Sequence, residues 1–140
     1  MKTMATDNKL TVLEVNGPFR EPREPVFSYD YAVQRASWSM PHAVRVKVAI
    51  AEELDVIKGR LLGQVTGTPG QQLLITRALS RRIADEKLKI AEAEGTLSDR
   101  RDVIIEPFTG PQAHLFAKLD DWLDREGQAL LAEVKKRANV

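Results

Sequence analysis

In the run Val44-Arg45-Val46-Lys47-Val48-Ala49-Ile50, four β-branched residues alternate with Arg45, Lys47 and Ala49. Successive side chains on a strand point to opposite faces, and β-branched residues suit a pleated surface. The spacing therefore predicts a strand with one apolar and one basic face. A helix competes for the same residues, because tertiary packing overrides the β preference of valine. In that case residues 42–64 form one continuous helix packed against residues 69–94.

Downstream, Ala51-Glu52-Glu53 places acids where the first turn of a helix favours them, and Leu54, Ile57 and Leu61 recur at helical spacing. Gly63, Gly67 and Gly70 bracket a turn in which Thr68 is placed to cap a new helix with Pro69 at its first position. Ile75, Leu79, Ile83 and Ile90 give that helix an apolar stripe running to about Glu94, and Gly95 is its natural stop. Upstream, Leu10, Val12 and Val15 form a short apolar segment punctuated by Asn16-Gly17-Pro18. Pro22 and Pro25 keep the next connection out of any helix, and Phe27, Tyr29, Tyr31 and Val33 follow strand period, with a helical reading on Tyr29, Val33, Ala36 and Met40 in competition. Beyond a charged connector at 98–102, Val103-Ile104-Ile105 reads as a short buried strand. A turn between Pro107 and Pro111 leads to a last helix with Leu119, Trp122 and Leu123 on its apolar side, where Gly127 marks a potential break.

At 140 residues with 43% apolar content, the chain has enough material for one domain with a real core. Lys and Arg number 21 against 20 Asp and Glu, so no bulk charge draws it to a polyanion. The charge is uneven, however. Residues 41–89 carry nine cations and five acids, a net +4, and the remainder carries −3. No cysteine is present, which removes disulfides, thiolate nucleophiles and Cys-ligated metals, and two histidines do not make a His-rich site. Asp120, Asp121 and Asp124 have the spacing of a solvated helix face, and Ser37 and Ser39 lack a recognisable base. Neither a cofactor nor a catalysed reaction is expected. The polar first nine residues and the lack of a long apolar run predict a cytoplasmic protein with no membrane partner.

Strand, short helix, glycine turn and long helix follow one another from residue 44 to residue 83, and a lone strand cannot satisfy its own ladder hydrogen bonds. Pairing with its copy in a second subunit would solve this, and a two-stranded ribbon fits the DNA major groove. On the strand at 44–50, the helix opening Ala51-Glu52-Glu53-Leu54, the glycine turn at Gly67 and the stretch from Ile75 to Leu79, the sequence resembles the ribbon-helix-helix family of DNA-binding regulators. With the aromatic strand before this module, and the Val103 to Ile105 strand and the segment from Phe108 to Leu123 after it, it is also similar to AcaB-like regulators of conjugative plasmids and integrating elements. The second helix runs longer than the family's, and the turn is one residue too long for a gapless match.

The resemblance implies a mainly α fold with a minor β component, built on a dimeric strand-helix-helix core. Residues 1–40 would be an N-terminal extension, partly strand, 41–95 the core module, and 96–140 a connector, short strand and C-terminal helix. It implies a homodimeric, sequence-specific transcriptional regulator of a mobile genetic element, bound to double-stranded DNA. Arg45, Lys47 and Ala49 would face the bases, and the start of the second helix at Thr68, Gly70 and Gln71 would hold a phosphate. The C-terminal helix is available for a protein partner. The competing helical hairpin implies a protein-protein interaction adaptor or inhibitor that binds no DNA.

Overall fold

The computed structural model describes residues 9–62, 68–95, 97, 101–107 and 113–138. The valine run is extended, as its period predicts: β3 spans His42–Ala49. Its partner is the aromatic strand β2, Val26–Gln34, which pairs with it antiparallel from Val26 opposite Ala49 to Val33 opposite His42. Strand β1, Thr11–Arg20, adds antiparallel to the outside of β2, and β4, Asp102–Ile105, lies parallel to β3. Among the described residues these make one mixed sheet in the order β1-β2-β3-β4.

The mainly α, ribbon-helix-helix expectation is overturned by this sheet. Both neighbours of β3 come from its own chain, so its ladder is satisfied without a second copy. A short connection from β2 makes that pairing cheap in loop-closure entropy, and Tyr29, Tyr31 and Val33 then share one buried face with Val44, Val46 and Val48. The helical alternative fails over residues 42–49 for the same reason. From Ile50 to Leu62 the chain is helical: a π-helical segment Ile50–Leu54 leads into α1, Asp55–Leu62.

Helix α2, Pro69–Ala93, crosses the buried face of the sheet. Its stripe of Ile75, Leu79, Ile83, Ala84, Leu88 and Ala91 covers the strand valines and tyrosines. Both tyrosine hydroxyls find partners on it. Tyr29 Oη is 2.5 Å from Ser80 Oγ, and Tyr31 Oη donates to Asp85 Oδ1 at 2.7 Å. Burial raises the pKa of both phenols, and the Asp85 carboxylate raises that of Tyr31 further. Helix α3, Ala113–Ala138, packs on α2 and runs unbroken through Gly127; Leu119, Trp122 and Leu131 enter the core, and the Arg82 guanidinium lies 5.4 Å from the Trp122 ring. Gly95, at φ +79°, takes the left-handed conformation that ends α2.

Two local features depart from the sequence reading. Asn16-Gly17-Pro18 does not end β1 but sits inside it as a bulge, one of two register shifts along that strand. Gly17 is required there: its φ is +138°, and an added Cβ would stand 2.7 Å from the Ser28 carbonyl oxygen. The second feature is a buried ion pair. The Lys87 ammonium, 5% exposed, donates to the Lys47 carbonyl (2.7 Å) and the Glu106 carbonyl (3.1 Å). It also lies 3.0 Å from the Oε2 of fully buried Glu53, whose Oε1 accepts the Ala49 N–H at 2.7 Å. These bonds tie the end of β3, the π-helical segment, α2 and the chain leaving β4 into one joint. Burial lowers the Lys87 pKa against the opposing pull of Glu53. The expected turn at Gly63 and Gly67, and most of that between Pro107 and Pro111, lie outside the described residues.

Candidate interaction surface

Strand alternation sends the residues between the valines and tyrosines to the face turned away from α2. Register aligns them into rows across the sheet: Phe19, Ser28 and Lys47; Asn16, Asp30, Arg45 and Ile104; Glu14, Ala32, Ala43 and Asp102. This face is largely open. Glu14, Asn16, Ala43, Arg45 and Asp102 are exposed, and so are the apolar Phe19 and Ile104 near its two margins.

The two strand cations expected to read DNA are therefore on an accessible face, but they are engaged. Arg45 makes a bidentate pair with Asp30, Nε to Oδ1 at 2.7 Å and Nη2 to Oδ2 at 3.0 Å, and its Nη1 lies 3.9 Å from Glu21 Oε1. The Asp30 hydrogen bonds raise the Arg45 pKa above its ordinary value. Lys47 Nζ is 3.3 Å from Glu24 Oε1 and 3.7 Å from Glu106 Oε1. Glu21 and Glu24 belong to the connection between β1 and β2. The Ser28 hydroxyl donates to Glu21 at 2.7 Å, and the Arg20 guanidinium donates to the carbonyls of Glu21 and Glu24 at 3.0 and 2.5 Å. With Glu14 and Asp102 in the neighbouring row, carboxylates outnumber Arg45, Lys47 and Arg20 around this surface.

The other expected site residues do not join them. Ala49 is buried at the end of β3. Thr68 and Gly70 are exposed at the start of α2, the helix on the opposite side of the sheet, where the Thr68 carbonyl accepts the Gln72 amide at 2.9 Å. The side chain of Gln71 lies outside the described residues. Strand cations and helix start thus sit on different faces, whereas a ribbon-helix-helix site needs them on one.

Sequence reasoning missed the acids that neutralise the ribbon, because Glu21, Glu24 and Glu106 reach it from separate segments. It also missed Lys87, although a signal existed: a lysine stands between Ala84, Leu88 and Ala91 on the apolar stripe of its helix. Trp38, in the connection before β3, and His42, its first residue, stack on each other at 3.6 Å between ring centroids, with the Arg35 guanidinium 5.4 Å from the Trp38 ring. Among the described residues no three His, Asp or Glu side chains converge to hold a metal ion, and no helix is long and apolar enough to cross a membrane. Comparison of the chain with protein-family models, curated proteins and solved structures finds no match.

Proposed function

We propose that the chain is a non-catalytic interaction module that docks a basic segment of a partner protein on the open face of its sheet. The observation that carries this reading is the row of Glu14, Ala32, Ala43 and Asp102, a floor of two alanines between two exposed acids. Its outer strands are about 14 Å apart at ordinary strand spacing. An α-helix is about 10–12 Å across with its side chains, so one fits between the two acids with small residues beneath it. Lysines or arginines on such a helix would meet Glu14 and Asp102, and Phe19 and Ile104 offer apolar contacts at the margins. Duplex DNA fits this face less well, because its phosphates would approach the carboxylates around Arg45 and Lys47 and their existing pairs would have to break.

The test is fluorescence anisotropy with a labelled amphipathic helical peptide carrying lysines on one face and alanine and leucine on the other, at about 50 mM salt, where charge attraction is weakly screened. The reading predicts saturable binding that weakens by at least about tenfold in Glu14→Lys/Asp102→Lys, a change at two exposed positions. No binding, or binding indifferent to that change, refutes it. Salt-sensitive binding of duplex DNA that disappears in Lys47→Ala would favour the nucleic-acid reading instead.

A further inference from the structure

On the other side of β1 from the open face lies a cleft of about 440 Å³ between that strand and α2. Its size falls within the roughly 300–1,000 Å³ of small-molecule sites. Leu10, Val12 and Leu88 give it apolar walls, and Tyr31 and Asp85 place polar atoms within it. The cleft exists because β1, bulged twice, contributes few side chains to the core: most of its residues are exposed, whereas β2 beside it is mostly buried.

The polar groups are organised around Arg81. Its Nε donates to Asp85 Oδ1 at 3.0 Å, and the Tyr31 hydroxyl donates to the same oxygen at 2.7 Å. Asp85 is thereby fixed from both sides and holds the guanidinium in one orientation, yet the Arg81 side chain remains 48% exposed. Lys9 and Lys89 line the same cleft. Of its two acids, Asp85 is matched by Arg81 and Glu92 by Arg35 from outside the cleft; Lys89 lies 3.5 Å from Glu86 Oε2, and Lys9 adds the further positive charge. Apolar walls, an oriented guanidinium and a net positive charge supplied by Lys9 are complementary to one class of ligand, an anionic head on a short apolar tail.

We propose that this cleft binds a free small amphiphile with a single anionic head group, the head on Arg81 between Lys9 and Lys89 and the tail against Leu10, Val12 and Leu88. Tyr31 and Asp85 act as positioning residues that hold the guanidinium ready. The inference is independent of the sheet face, which lies on the other side of the strands.

Isothermal titration calorimetry with octyl phosphate, below its aggregation threshold, tests it against two partial ligands, inorganic phosphate and octyl glucoside. One-to-one binding of octyl phosphate is expected, at least about tenfold tighter than either partial ligand, because a charge-assisted contact and tail burial each contribute. Arg81→Gln should lower octyl phosphate affinity by about tenfold, through loss of the charged hydrogen bond. Val12→Asn, a neutral change at an exposed edge position that leaves the core intact, should also lower it, through lost tail contact, while inorganic phosphate binding stays unchanged. Octyl phosphate binding no tighter than inorganic phosphate, or equal in wild type and both variants, overturns the proposal. Co-sedimentation with phosphatidylglycerol vesicles tighter than octyl phosphate binding also overturns it, because the amphiphile would then be a bilayer component.

Discussion

Replacing Lys87 with methionine keeps the length of the side chain and removes its charge from a joint where four segments meet. In the wild-type protein the ammonium faces the fully buried Glu53 carboxylate and two backbone carbonyls, those of Lys47 and Glu106. The variant leaves a carboxylate in the interior without its counter-charge and takes a donor from both carbonyls. Breaking a buried pair from one side costs about 3–5 kcal/mol. Since domain stabilities are typically about 5–15 kcal/mol, the Tm and the urea midpoint should fall far. Glu53→Gln/Lys87→Met restores charge balance, and the glutamine oxygen can still accept the Ala49 amide. That double variant should recover about 1–3 kcal/mol relative to the sum of the two single losses. Urea unfolding followed by circular dichroism at pH 7 reads all four corners of the cycle. A loss under about 1 kcal/mol in Lys87→Met, or strict additivity, would refute the claim that this pair acts as a unit.

The chain has two tyrosines, Tyr29 and Tyr31, and both are buried with raised pKa values. Their folded values lie above the ordinary 10.0, so the stability they contribute is complete below that pH and is lost as pH rises past it. Absorbance at 295 nm should therefore stay flat through pH 10 and rise only with loss of the circular dichroism signal; reversible phenolate formation with the fold intact would contradict the packing described. Gly17→Ala should destabilise by about 1–3 kcal/mol in urea unfolding, through its positive φ and the contact with the Ser28 carbonyl, and a neutral result would show that the bulge relaxes freely.

The alternation at residues 27–33 and 44–48, the apolar stripe of α2, the stop at Gly95 and the short strand before the last helix are legible in the sequence, whereas the end of β3 is not: Ala49 is buried and Ile50 already belongs to the π-helical segment. Each is a local period or a local backbone requirement, which nearest neighbours along the chain report. Partner choice was not legible. Whether Val44, Val46 and Val48 face a second copy or Tyr29 and Tyr31 depends on which strand closes on β3 first, and periodicity is silent on that. Asn16-Gly17-Pro18 misled for a related reason: the same residues that terminate strands also build bulges inside them. At the surface, Arg45 and Lys47 were rightly placed on one face of a strand. Their neutralisation was invisible because Glu21, Asp30 and Glu106 converge on them from three other parts of the chain.

The double interruption of β1 has a further meaning for a molecule that leaves one side of its sheet bare. A straight border strand carrying uncovered Val12, Leu13 and Phe19 would invite a stranger's backbone to zip alongside and nucleate fibres. Here the border is kinked at both register shifts and lacks an amide hydrogen at Pro18, so an incoming strand loses step within a few residues. The rim thereby resists main-chain pairing, and docking of the kind proposed above would fall to the flat of the sheet, where side chains rather than main chain choose the partner.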